Sequence, residues 1–429
     1  CSVSPTRSTL LSSCPTPVIL FVSWLLHPPA PPLLPYTTLF RSPAGRGTAT
    51  TVQRALQLIE QGALNTGTLA QLAERLGIGE RYLRKLFERE LGVSPQAIAL
   101  NQRLLFARKL LAETPMTVTD IAFAAGFGSV RRFNSAIKSQ FRQTPRDLRR
   151  RPGQIGASGG ISLQLQYRPP YDWAGVLNFF SRHAVEGVEK VDDSGYYRKL
   201  LLAGQPVSIS VRPAAGRHAL ELELHAADHS LLMPVVAGVR RMFDLDANPA
   251  AIAATLGQDP ALAPLLRAHP GIRAPGSWSL YESAIRAIVG QQVSTVAARS
   301  ICGRLAAATS LDPDHRVFPP ARALAALDDN HFPMPGRRRD TLRQLCSQFS
   351  DCEDTLDLAA LAALKGVGPW TVAMVGMRGA GDPDVFPTRD LGLENAWRGI
   401  DSPAGTLQDH ALNWRPWRAY AANLLWRSL

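Results

Sequence analysis

Cysteine is scarce and scattered in this chain. The five in 429 residues, Cys1, Cys14, Cys302, Cys346 and Cys352, form neither a C-x-x-C pair nor the four-cysteine run that an iron–sulfur cluster needs, so no cluster and no structural zinc is expected. Long apolar runs are missing too. The longest, Val18–Leu26, is nine residues bracketed by prolines, far short of the ~20 that cross a bilayer, and no small-residue cleavage site follows it. These absences argue against a membrane or secreted protein and fit a reducing cytoplasm. Acidic residues are outnumbered as well: 35 Asp and Glu face 47 Lys and Arg, a net charge of +12, which favours a polyanionic partner such as nucleic acid or an anionic membrane surface. Residues 1–42 read unlike the rest, and Leu34–Ser42, LPYTTLFRS, resembles translated sequencing-adaptor sequence. They are set aside, with the expectation that a native N-terminus was lost or replaced.

From Thr51 the pattern becomes helical, and it contains a repeat. Leu72-Ala73-x-x-x-Gly77 returns 49 residues later as Ile121-Ala122-x-x-x-Gly126, each followed by an apolar residue and then a basic helix. A small alanine lets two helices approach, and glycine supplies the left-handed backbone of the turn between them, as in a helix-turn-helix. In the second copy Val130, Phe133, Ile137 and Phe141 make an apolar stripe, while Arg131, Ser135, Lys138 and Arg142 fall together on another face, suited to the major groove of double-stranded DNA. A solvated face on an ordinary bundle would show one such copy; the tandem, closed by Arg149-Arg150-Arg151, points to DNA. The arrangement over 43–151 resembles the AraC-type transcription-factor domain, including a linking helix with Arg103, Ala107, Leu110 and Leu111.

Residues 152–160, rich in glycine, read as a linker. Strand-like alternation follows at 162–167, 207–211 and 219–224, interrupted by a helical stretch at 176–185, and beyond Leu231 the pattern is almost wholly helical. The expected architecture is multidomain and mainly α: a double helix-turn-helix at 43–151, a small α+β domain at 161–230, and an all-α domain at 231–429. The front module reads as a tether on an independently folding second half.

Two features of that second half carry chemistry. Leu364-Lys365-Gly366-Val367-Gly368-Pro369-Trp370 lies between helical segments, where paired glycines permit a tight hairpin whose amides, at a helix start, face an anion. A plain helix–helix turn also carries two glycines. About twenty residues on, Asp390 stands at another helix start, where an N-cap is the commonest role for aspartate.

Together, the hairpin and the aspartate resemble the helix-hairpin-helix glycosylase superfamily. Gln166–Trp173, Ala287–Ser294 and Trp414–Ala421 are similar to the AlkA-type 3-methyladenine DNA glycosylases, and the order of an Ada-like AraC module ahead of an AlkA-like half matches bacterial fusions. The resemblance implies a monomeric, bacterial, cytoplasmic enzyme that flips alkylated, cationic purines such as 3-methyladenine out of duplex DNA and hydrolyses their N-glycosidic bond. It implies Asp390 as catalyst, Trp370, Trp426 and Phe179 as pocket aromatics, Gln291 and Gln292 as the wedge that fills the gap, and Gly366, Val367 and Gly368 as the phosphate hairpin. Each aromatic also reads as a core residue. No cofactor is required, although the resemblance implies a Na+ or K+ on hairpin carbonyls, assigned to Leu364 and Gly366. Trp370 stands where strand-cutting relatives carry a lysine nucleophile, and Lys365 lies on the wrong side of the hairpin, so no lyase step is expected. A transcriptional regulator of an alkylation response, with a non-catalytic damage-sensing second half, is the rival reading.

Overall fold

The structure, a computed structural model, describes residues 48–149, 160–350, 353–400 and 406–429. Arg150, Arg151 and the linker up to residue 159 lie outside the described residues, as do 1–47.

The front module is two helix-turn-helix units joined by one long helix. In the first, Leu69–Arg75 starts at a capping box between Thr68 and Gln71 and turns at Gly77 into Glu80–Leu91; in the second, Val118–Ala124 turns at Gly126 into Val130–Phe141. The two turns are closed by the same bond, Ile78 N–H to the Ala73 carbonyl and Phe127 N–H to that of Ala122, each 3.0 Å. Gly126 is required twice over. Its φ is +78°, and a Cβ there would lie 2.4 Å from the Asn65 side chain. The linking helix Pro95–Glu113 buries Ala107, Leu110 and Leu111, while Arg103 donates to Asn65 Oδ1 at 2.8 Å and to the Leu64 carbonyl.

A five-stranded antiparallel sheet follows: β1 (Ile161–Gln166), β2 (Glu189–Asp192), β3 (Gly195–Leu202), β4 (Gln205–Pro213) and β5 (Ala219–His225), in the order β1-β5-β4-β3-β2. The sequence reading missed β2 and β3. β2 is four residues, three of them charged, and in β3 Arg198 takes an inward position between Tyr196 and Leu200 and so interrupts the apolar alternation. It is buried against Glu189 and Glu282, and Arg286 bonds the same two carboxylates at 2.6 and 2.8 Å. Because Glu189 comes from the sheet and Glu282 from the helix Leu280–Val289, this ionic knot joins the sheet to the helical domain. A buried charge needs such partners to be tolerated at all.

One helix placed by sequence in the all-α domain, Leu232–Met242, shares the sheet's core through Leu232, Val235, Val236 and Val239. The same core continues into the front module, taking in Leu104, Leu110, Ile121, Phe127 and Phe133. The front module is therefore docked on the sheet. Edge strand β1 is met by the linking helix: Glu113 Oε2 accepts the Gln164 N–H at 3.0 Å, and Lys109, paired with Glu113, donates to the Gln164 carbonyl. That covers an edge otherwise open to pairing. The remaining helices pack around two further cores, one beneath Leu280–Val289, Thr295–Thr309 and Gly336–Gln348, the other beneath Leu391–Arg398 and Arg418–Arg427. No described helix is long and apolar enough to cross a membrane.

Candidate active site

The hairpin forms where expected, between Leu358–Ala362 and Pro369–Arg378. Gly366 sits at φ +90°, and a Cβ there would meet Thr341 Oγ1 at 2.2 Å, so both backbone and space demand glycine. Thr341, buried on Gly336–Gln348, donates to the Lys365 carbonyl at 2.9 Å and braces the turn from behind. The amides of Gly366 and Gly368 have no backbone acceptor among the described residues. Val367 departs from its expected role: its N–H donates to the Leu364 carbonyl at 3.2 Å and its side chain packs on the core, so it shapes the loop rather than offering an amide.

Gln291 departs as well. Its Nε2 donates to the Gly366 carbonyl at 3.1 Å and to Thr371 Oγ1 at 3.0 Å, which ties the 290–294 loop to the hairpin and leaves it unfit to serve as a free wedge. Gln292 is exposed with φ +55°. A non-glycine residue in the left-handed region costs energy and marks a place where the fold holds a tip outward. The two carbonyls assigned to an ion, Leu364 and Gly366, each accept one hydrogen bond, from Val367 and Gln291, and each keeps a second lone pair.

Asp390 begins the helix Leu391–Arg398 as its N-cap, with Oδ1 accepting the Leu393 N–H at 2.9 Å. It does more than cap. Trp370 Nε1 donates to Oδ2 at 2.9 Å and Trp426 Nε1 donates to Oδ1 at 3.0 Å. Three of roughly four acceptor positions on the carboxylate are thus filled, leaving about one for a bound molecule. Arg389, immediately before, has φ +62°, a second left-handed residue at this site. Gly392 lets the Trp426 ring come close: a Cβ there would lie 3.3 Å from the indole and 3.1 Å from Asp390 Oδ1.

Phe179 is brought to the same place. The guanidinium of buried Arg378 lies 4.4 Å from the Phe179 ring centre and 5.3 Å from that of Trp426, so one cation backs two of the three aromatics. Arg378 also donates to the Pro275 carbonyl at 2.7 Å and to Asn423 Oδ1 at 2.9 Å. Burial pushes its pKa down to about 9 while Asp244 and Asp390 oppose that shift, so it stays charged at neutral pH. On its other flank Phe179 stacks on His183 at 4.3 Å. The helix that carries both, Trp173–His183, is pinned at each end: Arg427 pairs with Asp172 at 3.4 Å, and Arg286 donates to the His183 carbonyl at 2.8 Å. Met374, on the helix of Trp370, is half-buried, and Leu391, next to Asp390, is exposed.

Arg378 and Thr341 were missed by sequence reading. The one signal for Arg378 is a charge ending an otherwise apolar helix, and Thr341 gave none. In the front module Arg131, Ser135, Lys138 and Arg142 are all exposed on or just after Val130–Phe141. Arg149 instead turns inward to the Met116 carbonyl.

Residues 72–151 match the helix-turn-helix domain family, and residues 162–279 match the AlkA N-terminal domain family, which runs past the sequence-based boundary at 230. The "Probable bifunctional transcriptional activator/DNA repair enzyme AlkA" of Mycobacterium tuberculosis (strain H37Rv) is 38% identical over 399 residues, spanning 88% of this chain and 80% of its own. DNA-3-methyladenine glycosylase 2 of Escherichia coli (strain K12) is 32% identical over 279 residues, 61% of this chain and 95% of its own. The solved 3-methyladenine DNA-glycosylase from Archaeoglobus fulgidus overlays 62% of this chain and 97% of its own, with a TM-score of 0.53 at 18% identity, and so shares the fold.

Proposed function

The chain belongs to the AlkA-type family of DNA-3-methyladenine glycosylases, in the form fused to an activator-like helix-turn-helix module, and we propose that Asp390 is the carboxylate that drives its chemistry. The protein is a DNA base-excision repair enzyme that hydrolyses the N-glycosidic bond of alkylated purines in DNA. The observation that carries the assignment of Asp390 is its double indole clamp: Trp370 and Trp426 hold its two oxygens from opposite indoles within an aromatic pocket.

A base in a duplex must first leave the stack, at a cost of a few kcal/mol. Gln292 fills the gap, its outward left-handed backbone favouring that task over Gln291, which braces the hairpin instead. The free amides of Gly366 and Gly368 hold a phosphate at the start of Pro369–Arg378, where the helix dipole helps. A Na+ or K+ on the spare lone pairs of the Leu364 and Gly366 carbonyls would add positive charge at this phosphate. The flipped purine lies against Trp370, Trp426 and Phe179. Alkylation makes it cationic, which strengthens stacking on aromatic faces and improves it as a leaving group. As the bond breaks, positive charge builds on the sugar, and the carboxylate of Asp390, fixed in advance by its three donors, stabilises that charge in place. Its remaining acceptor position serves the incoming water. Trp370 occupies the place of a lyase lysine, so the enzyme is monofunctional.

The test is methylated duplex DNA incubated with the protein. N-alkylated purines should appear as free bases, strands should stay intact until alkali is added, and borohydride should trap no protein–DNA adduct. A trapped adduct would contradict the hydrolytic reading.

A further inference from the structure

The helix Thr48–Glu60 has one face, Val52, Ala55, Leu56 and Ile59, buried in the first repeat's core. Arg54 and Gln57, three residues apart and so neighbours on the helix surface, reach the other way. Arg54 Nη1 pairs with Asp357 Oδ2 at 2.9 Å, and Gln57 Nε2 donates to the Ala380 carbonyl at 3.2 Å. Those partners are not arbitrary. Asp357 is the N-cap of Leu358–Ala362, accepting the Ala360 N–H at 2.7 Å, and Ala380 lies just beyond the end of Pro369–Arg378. One helix of the front module therefore holds the start of the first hairpin helix and the end of the second. The module cannot easily swing away from this position. Its docking is completed by the core shared with the sheet, by the Lys109 and Glu113 grip on Gln164, and by Asn65 Nδ2 against Met233 Sδ at 3.3 Å.

We infer that the first helix of the front module positions the phosphate-holding hairpin, Arg54 and Gln57 setting its two helices in place so that DNA is gripped more tightly. This rests on the reading of Gly366 and Gly368 as a phosphate site. The role differs from that of the exposed basic face, because Arg54 acts through Asp357 and touches no phosphate. It should show in affinity and not in the chemical step.

The experiment uses the full chain and methylated duplex DNA, measuring single-turnover base release against enzyme concentration. Arg54→Glu and Gln57→Ala should each raise the half-saturating concentration about two- to five-fold, the scale of a pair whose side chains are 31% and 34% exposed, with the saturating rate held within two-fold. Arg54→Lys should stay near the parent. Adding Asp357→Asn to Arg54→Glu keeps the cap, removes the repulsion and should restore tight binding. The slope of log affinity against log salt should not change, since the protein neutralises as many phosphates as before. Gly368→Asp is the control for the hairpin: a Cβ at Gly368 meets nothing within 4 Å and Asp caps a helix well, so the variant folds but places an anion on the phosphate site. It should raise half-saturation at least ten-fold. If Gly368→Asp weakens binding while Arg54→Glu and Gln57→Ala match the parent, the positioning role is overturned and the phosphate site stands. If Gly368→Asp changes nothing, the phosphate reading falls and the inference falls with it.

Discussion

On the helix Val130–Phe141 the groups that would meet DNA stand free in solvent, whereas at Asp390 every group is held by another. Arg131, Ser135 and Lys138 owe their placement to helical periodicity alone, and Arg142 to the left-handed cap that ends the helix. Asp390 owes its placement to Trp370, twenty positions back, and Trp426, thirty-six positions on, and the Trp426 ring is backed by Arg378, which also meets the ring of Phe179 on another helix. The difference follows from the tasks. Phosphate binding tolerates long, mobile side chains, while stabilising a short-lived charge requires a carboxylate fixed beforehand.

That contrast can be broken most forcefully at the indoles. Trp370→Phe and Trp426→Phe keep a ring in the pocket but remove an N–H that donates to a charged oxygen, a bond of about 1.5–3 kcal/mol, so each should slow saturating base release about ten-fold or more. Duplex affinity should stay within a few-fold. If either variant kept the parent rate, the carboxylate would not depend on its clamp.

A second test is pH. Burial pushes the His183 pKa down to about 4, the Phe179 carbonyl opposing and Arg378 and Arg286 adding to the shift, so His183 is neutral when folded. Unfolded, it titrates near its ordinary value of about 6.5. A depressed folded value means the stability is fully present above about 6.5 and is lost as pH falls towards about 4, up to about 3 kcal/mol. Glu189, raised by burial but held low overall by Arg286 and Arg198, loses its share only at lower pH. Urea midpoints at pH 7 and pH 4.5 should therefore diverge in the parent and converge in His183→Gln. Equal divergence in both would remove His183 from the account of how Phe179 is held.

The smallest effect is expected at the exposed face. Replacing Arg131, Lys138 and Arg142 with alanine should reduce the slope of log affinity against log salt by about 0.9 for each phosphate that is no longer neutralised, and leave the saturating rate of base release within two-fold. A slower chemical step in that variant would mean the exposed face acts inside the site.

What could be read in advance divides along the same line. The repeated turn at Gly77 and Gly126, the glycine hairpin and an aspartate at a helix start are local patterns, and each lies where its spacing put it. Arg198 hid a strand because its burial depends on Glu189 and on Glu282, eighty-four positions away. Gln291 looked like a wedge until Gly366, seventy-five positions on, claimed its amide. Nothing near Arg54 in sequence hints at Asp357, 303 positions distant, so the docking of the front module could not be foreseen. Side chains whose partners are remote carry no local signature.

The most direct test of the central claim is Asp390→Asn, because asparagine retains the N-cap to Leu393 and the shape of the side chain while losing the charge. Single-turnover base release from methylated duplex would be measured at saturating enzyme, with duplex affinity determined on the same preparation. The rate should fall by at least about a hundred-fold while affinity stays within a few-fold. Base release within a few-fold of the parent would contradict the assignment of the chemistry to Asp390.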